Sequence, residues 1–158
     1  MLLPPVHDLE VVMSFAASLA SVFRKYAIFS GRARRSELWW YVLAYEVVLT
    51  VLNGYFISRA FAGIDANATP QEIGSALGSA MFVPSIVSLA LLLPTLAVIV
   101  RRLHDLNKSG FWYFFGLVPV VGVIMLIVWL ATAGTVGANR FGADPKAAAA
   151  PADVPVAA

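Results

Sequence analysis

Cysteine is absent from the 158-residue chain, which excludes disulfides, thiolate metal sites and a cysteine nucleophile together. Charge is scarce: Asp, Glu, Lys and Arg make up 13% of the residues, and the formal net charge is +2. A soluble domain carries about 25% charged residues, and so small an excess of positive charge leaves no footprint for nucleic acid. Histidine occurs only at His7 and His104, so neither a histidine metal site nor a bound cofactor is expected. The charges are also segregated. None lies between Glu72 and Arg101 or between Lys108 and Arg140. Each gap exceeds the roughly 20 residues with which a helix crosses a hydrocarbon core about 30 Å thick, whereas a surface helix of a soluble protein keeps a polar face along its length.

What is present is mostly apolar: 60% of the residues are hydrophobic and the mean hydropathy is +0.81. The fold expected is an all-α integral membrane protein, a small bundle of about three transmembrane segments with an N-terminal interfacial helix. Residues 1–12 read as an irregular leader holding Pro4 and Pro5. The apolar stretch Val11–Phe23 has no basic residue before it and Arg24-Lys25 after it, the reverse of a secretory signal. It is too short to span, so 13–29 reads as a helix lying along the interface. Spans follow near 38–58, 77–100 and 111–133, two of them opening on aromatics (Trp39-Trp40-Tyr41 and Phe111-Trp112-Tyr113), as an interfacial belt would. Residues 59–72 read as a polar loop. Pro84 and Pro94 kink the second span without forbidding it.

The third segment is interrupted by Pro119 and Gly122, so it is either one kinked span or a re-entrant hairpin. Length favours the single span, because 111–118 alone reaches only about 12 Å as an α-helix. The Ala/Pro-rich end over 146–158 reads as a disordered tail. Arg24, Lys25, Arg32, Arg34 and Arg35 precede the first span, and Arg101, Arg102 and Lys108 follow the second. The positive-inside rule therefore places the amino terminus and the 101–110 loop in the cytoplasm. Charge does not place the carboxyl tail: a single third span puts it outside and a hairpin puts it inside.

Three polar motifs flank the spans: Phe29-x-Gly31-Arg32-x-x-Arg35-x-Glu37-x-Trp39, Arg101-Arg102-Leu103-His104-Asp105-x-x-x-Ser109-Gly110, and Gly134-x-x-Gly137-x-Asn139-Arg140-Phe141-Gly142-x-Asp144-Pro145. With Pro119-x-x-Gly122 between the second and third, the pattern resembles the bacterial inner-membrane family called domain of unknown function 805 (YhaH-like), from about Phe23 to Pro145. The resemblance implies a multi-pass inner-membrane protein and no reaction. Met13-Ser14-Phe15 looks like a usual family start, which makes residues 1–12 a candidate upstream extension.

Arg32, Arg34 and Arg35 have two readings: topology determinants at the headgroup level, or recognition of anionic lipid by planar guanidinium forks. Glu37 is expected to pair with one of them or to sit favourably in the first turn of the span. His104 and Asp105 are the pair an interfacial enzyme would use, but adjacent residues do not face each other on a helix. Asp105 is therefore expected to pair with an arginine of another motif. Asn139, Arg140 and Asp144 complete the polar set. Inside the spans, Glu46, Thr50 and Asn53 share one helix face, and Ser85, Ser88 and Thr95 another. Ionisable residues at such depth are costly and usually face the bundle interior. These stripes either hold helices together by hydrogen bonds or form a polar pathway for a transporter or channel-type subunit. Gly74-x-x-x-Gly78 is a weak close-packing pattern. The reading favoured is a non-enzymatic membrane protein whose motifs form a basic collar at the cytoplasmic face. Its expected partners are the bilayer and its anionic lipids, and then a second copy of the chain or another membrane protein.

Overall fold

The computed structural model describes residues 13–147. The expected leader over 1–12 and the expected tail beyond 147 lie outside the described residues. Among these, the chain forms α1 (Phe15–Arg24), α2 (Arg35–Ala62), α3 (Pro70–Asp105), a 3-10 helix (Gly110–Leu117) and α4 (Val121–Ala131), with no strand beyond an isolated bridge between Asn139 and Gly142. Ser14 caps α1, its Oγ accepting from the Ala17 N–H at 3.3 Å. α1 buries Ser18 and Val22 against its neighbours. Its exposed aromatics still touch α2, Phe15 edge-on to Trp40 at 5.6 Å and Phe23 to Tyr41 at 6.3 Å.

α2 and α3 pack as an antiparallel pair and are both long and apolar enough to cross a bilayer. At 1.5 Å per residue they extend about 42 and 54 Å. Many of their large apolar side chains point outward, with Val51 64% and Leu89 70% exposed. Helices that expose such residues along their length match a hydrocarbon solvent. α3 starts earlier than the expected 59–72 loop allows. Thr69 and Glu72 form a reciprocal capping box and Pro70 stands in the first turn, where its missing N–H costs nothing.

α3 runs through both prolines without a break. Pro94 cannot donate to the carbonyl of Ala90, four residues back, and that carbonyl instead accepts from the Tyr26 hydroxyl. One turn away, the Tyr41 hydroxyl meets Thr95 Oγ1 at 2.7 Å and the Leu91 carbonyl at 3.3 Å. These contacts pin the α1–α2 region onto α3 beside Pro94, and the Tyr26 hydroxyl satisfies the one carbonyl that this proline leaves open.

The expected third span is not one helix. Residues 111–133 divide into the 3-10 helix and the 11-residue α4, packed against each other. At about 2.0 and 1.5 Å per residue both arms measure roughly 16 Å, half the thickness of a hydrocarbon core. The turn carries Val120 at φ 63, a strained conformation for a β-branched residue. Gly122 makes the turn feasible, since a Cβ there would sit 1.9 Å from the Phe115 carbonyl oxygen. Trp129 closes the hairpin, 5.3 Å from Trp112 and 5.6 Å from Phe115, with the Lys108 ammonium 4.5 Å over its ring. The segment therefore returns to the end of α3 it left: Gly110 lies against Val100, and Arg102 Nε donates to the Leu130 carbonyl at 3.0 Å.

Candidate functional site

The buried core sits at this one end of the bundle, where Val22, Ala33, Leu38, Tyr41, Val98, Leu103 and Leu130 cluster. Beside them lie buried ionic side chains. Arg102 is 0% exposed, Arg101 1%, Glu37 3%, Asp105 4%, Arg32 7% and Arg34 9%. Burial this deep requires pairing, and the three motifs supply it to one another.

Asp105, on the last turn of α3, is the hub. One carboxylate oxygen accepts from Arg32 Nε at 2.8 Å and the other from Arg102. The rest of each guanidinium is taken up by main-chain carbonyls of the third motif and its approach: Arg32 donates to Thr135 and Gly137, and Arg102 to Leu130 and Thr132. Thr135 answers by donating its N–H to the Asp105 carbonyl at 2.9 Å. Gly134 fits under the hub because it lacks a side chain: a Cβ there would stand 1.9 Å from Asp105 Oδ2. Arg34 Nε donates to the Pro145 carbonyl at 2.8 Å. Arg32 and Arg34 are thus turned inward rather than toward headgroups. Arg35, half-buried at the start of α2, lies close enough to Arg102 to repel its charge.

A second ion pair joins the first two motifs. Glu37 Oε1 accepts from Arg101 Nη1 at 2.9 Å and from Ser21 Oγ of α1 at 3.1 Å. The partner of Glu37 is therefore Arg101, not one of Arg32, Arg34 and Arg35, because the first turn of α2 presents Glu37 to α3. Next to it the Ala33 N–H donates to the Arg101 carbonyl at 3.0 Å. Donors exceed acceptors in this cluster: four guanidiniums are buried with two carboxylates, and Arg101 Nη2 has no hydrogen-bond partner among the described residues.

His104 and Asp105 do not touch. His104 Nδ1 lies 3.2 Å from the Gly31 carbonyl, which can only accept, so Nδ1 carries a proton. The imidazole stacks flat on Phe141 at 3.9 Å, and Arg140 lies 4.6 Å over the same ring. Asn139 Nδ2 donates to the His104 carbonyl and to Thr135 Oγ1, both at 2.9 Å, and Arg140 Nη2 to the Asn107 carbonyl at 3.0 Å. Asp144 closes the third motif by accepting from the Gly137 and Lys146 N–H groups at 3.0 and 2.9 Å. Burial works against its charged form. The N–H groups of Lys146 and Gly137, with the charges of Arg32 and Lys146, outweigh that and hold the carboxyl below its usual range.

The intramembrane polar residues are not gathered into one interior path. Glu46 and Thr50 are exposed on the flank of α2, away from the expected bundle interior. Asn53, Ser85 and Ser88 line an open groove of about 440 Å³ with Tyr45 and Pro84. Thr95 faces Tyr41. Sequence reasoning missed Ser21, Tyr26, Thr135 and Phe141, whose roles depend on partners far along the chain.

Several known proteins are similar to this chain. YhaI of Escherichia coli (strain K12), named an inner membrane protein, is 36% identical over 126 residues, covering 80% of this chain and 92% of that protein. YhaH of the same strain, also named an inner membrane protein, is 36% identical over 125 residues, covering 79% and 93%. No solved structure matches. Residues 26–143, which hold the first two motifs, most of the third and the ion pairs of Asp105 and Glu37, match the profile of the family described as protein of unknown function DUF805, and the chain belongs to that family.

Proposed function

We propose that the protein is a non-enzymatic, multi-pass protein of the bacterial inner membrane whose three motifs assemble into a structural node at the cytoplasmic face, ringed by cations that contact anionic lipid. The observation that carries this is the division of the basic residues into two tiers. The inner tier (Arg32, Arg34, Arg101 and Arg102) is buried and bonded to carboxylates and carbonyls. It ties the 29–37 loop, the end of α3 and the 134–145 segment into one unit. The outer tier, Arg24, Arg140 and Lys146, remains exposed. Together with the surplus of buried guanidiniums it gives that end of the bundle a positive field.

The inner-membrane names of the relatives and the two long apolar helices support the location. α2 and α3 are the two complete spans, and the positive-inside rule sets the node in the cytoplasm. The half-length arms of the 3-10 helix and α4 form a re-entrant hairpin, which brings the carboxyl tail to the same side. A reporter fused after Lys146 is expected to read cytoplasmic; an external tail refutes the hairpin topology.

Each exposed cation near an anionic surface is worth about 1 kcal/mol. Native mass spectrometry of the full chain, titrated with phosphatidylglycerol or phosphatidylcholine, tests the lipid reading. Preference for phosphatidylglycerol is expected, weakened by Arg24→Gln with Arg140→Gln while the helical content stays unchanged. Equal binding of the two lipids by the wild type removes the lipid contact from the proposal. The different partners of His104 and Asp105, the Gly31 carbonyl and Arg32, support the non-enzymatic reading.

A further inference from the structure

Far from the node, the two spans leave a mismatch of hydrogen-bonding groups. The groove between α2 and α3 is lined by the hydroxyls of Tyr45, Ser85 and Ser88, and none of these makes a hydrogen bond among the described residues. On the flank of α2, one residue on from Tyr45, the exposed Glu46 carboxyl makes none either. Donors without an acceptor thus line the groove and an acceptor without donors stands on the flank of the same helix, and within a bilayer no water would satisfy either. A carboxyl facing hydrocarbon is costly and is normally covered.

We infer that a second copy of this chain covers this face, with Glu46 of each copy accepting hydrogen bonds from the groove hydroxyls of the other. Depth selects this occupant. Two copies inserted in the same orientation and related by a twofold axis along the membrane normal keep every residue at the same height as its counterpart. The antiparallel register is set by Tyr41 against Leu91 and Thr95, by Glu37 against Arg101, and by Asn53 beside Met81 and Ser85 in the groove wall. In that register the height of Tyr45 and Glu46 on α2 is the height of Ser88 on α3. Each Glu46 therefore arrives level with the partner copy's hydroxyls, and the contact is made twice by symmetry. Thr50, one turn along the same face of α2, sits close to the axis. Tyr55 lies on the opposite side of the helix and faces lipid.

The absence of cysteine makes the test direct. In membranes, a Thr50→Cys chain is expected to form a disulfide-linked dimer under mild oxidation, and a Tyr55→Cys chain to remain monomeric. Interhelical hydrogen bonds in bilayers are modest singly, but two equivalent ones are lost together. Adding Glu46→Leu is therefore expected to lower the dimerisation constant roughly tenfold. Glu46→Gln keeps an acceptor and is expected to retain most of the association. Ser88→Ala is expected to weaken it without adding fully to Glu46→Leu. Circular dichroism on each variant separates lost association from lost folding. The inference is overturned if Thr50→Cys and Tyr55→Cys cross-link equally, if Glu46→Leu leaves the Thr50 cross-link unchanged in a folded chain, or if the Thr50 adduct is with a different protein.

Discussion

Replacing Asp105 by Asn tests the node at its hub. The change keeps size and shape but removes the charge shared by Arg32 and Arg102, which are 7% and 0% exposed. It also puts an amide donor against one of two guanidiniums that can only donate. Breaking a buried ion pair by removing one member costs roughly 3–5 kcal/mol, because the surviving charge stays buried without compensation. Two arginines depend on the one carboxylate, so the two losses are not independent. The carbonyls of Leu130, Thr132 and Thr135 also continue to hold both guanidiniums. A figure of about 3–5 kcal/mol for the whole substitution follows, a large share of a typical stability of about 5–15 kcal/mol. The assay is equilibrium unfolding in mixed micelles followed by tryptophan fluorescence; Trp129 reports on the hairpin beside the node. Arg32→Met alone and combined with Asp105→Asn completes a cycle. The combined loss is expected to fall short of the sum by about 0.5–3 kcal/mol. A loss under about 1 kcal/mol for Asp105→Asn, or full additivity in the cycle, refutes the claim that the motifs act as one electrostatic unit.

Three further outcomes follow from single contacts. Gly122→Ala places a Cβ against the Phe115 carbonyl, a backbone atom that cannot rotate away, so hydrogen exchange across 110–131 is expected to rise sharply while α2 and α3 stay protected. Tyr26→Phe removes the donor to the Ala90 carbonyl that Pro94 leaves open and is expected to cost about 1–3 kcal/mol. In a Pro94→Ala background the restored N–H supplies that carbonyl, and the same substitution is expected to be close to neutral in unfolding titrations. Asp144 is held below the ordinary carboxylate range, so its contribution is complete above an unfolded value of about 3.9 and is lost as pH falls through the lower folded value. Proteolysis of the 134–147 segment is expected to accelerate only on the acid side of that window, and Asp144→Asn to make it pH-independent there.

The two long helices are legible because their signal is compositional: α3 holds a charge-free stretch longer than a bilayer is thick, and α2 is an apolar run opened by aromatics, whereas the start of α3 at Thr69 lies inside the expected loop. The hairpin was not legible in the same way. Residues 111–133 are uncharged throughout, and nothing in their hydropathy distinguishes one arm of about 35 Å from two of about 16 Å. What decides is tertiary: the fit of Gly122 against Phe115 and a valine driven to φ 63. The polar motifs had the converse fault. Their residues are visible at once, but charge pattern along a chain favours near neighbours as partners, and among partners it points Glu37 only to arginines a few positions away. Its partner lies 64 residues on, and Arg32 finds Asp105 73 residues on. Taken singly, each motif looks unbalanced: the first has three arginines for one glutamate, and the second two arginines and a lysine for one aspartate. The third contributes chiefly carbonyls and an asparagine. Joined, the first and second exchange their acids across the bundle, and the third supplies the main-chain acceptors the remaining guanidinium N–H groups require. Arginines read as a surface collar are for the most part an interior, bonded to the acids and main-chain carbonyls of the other motifs.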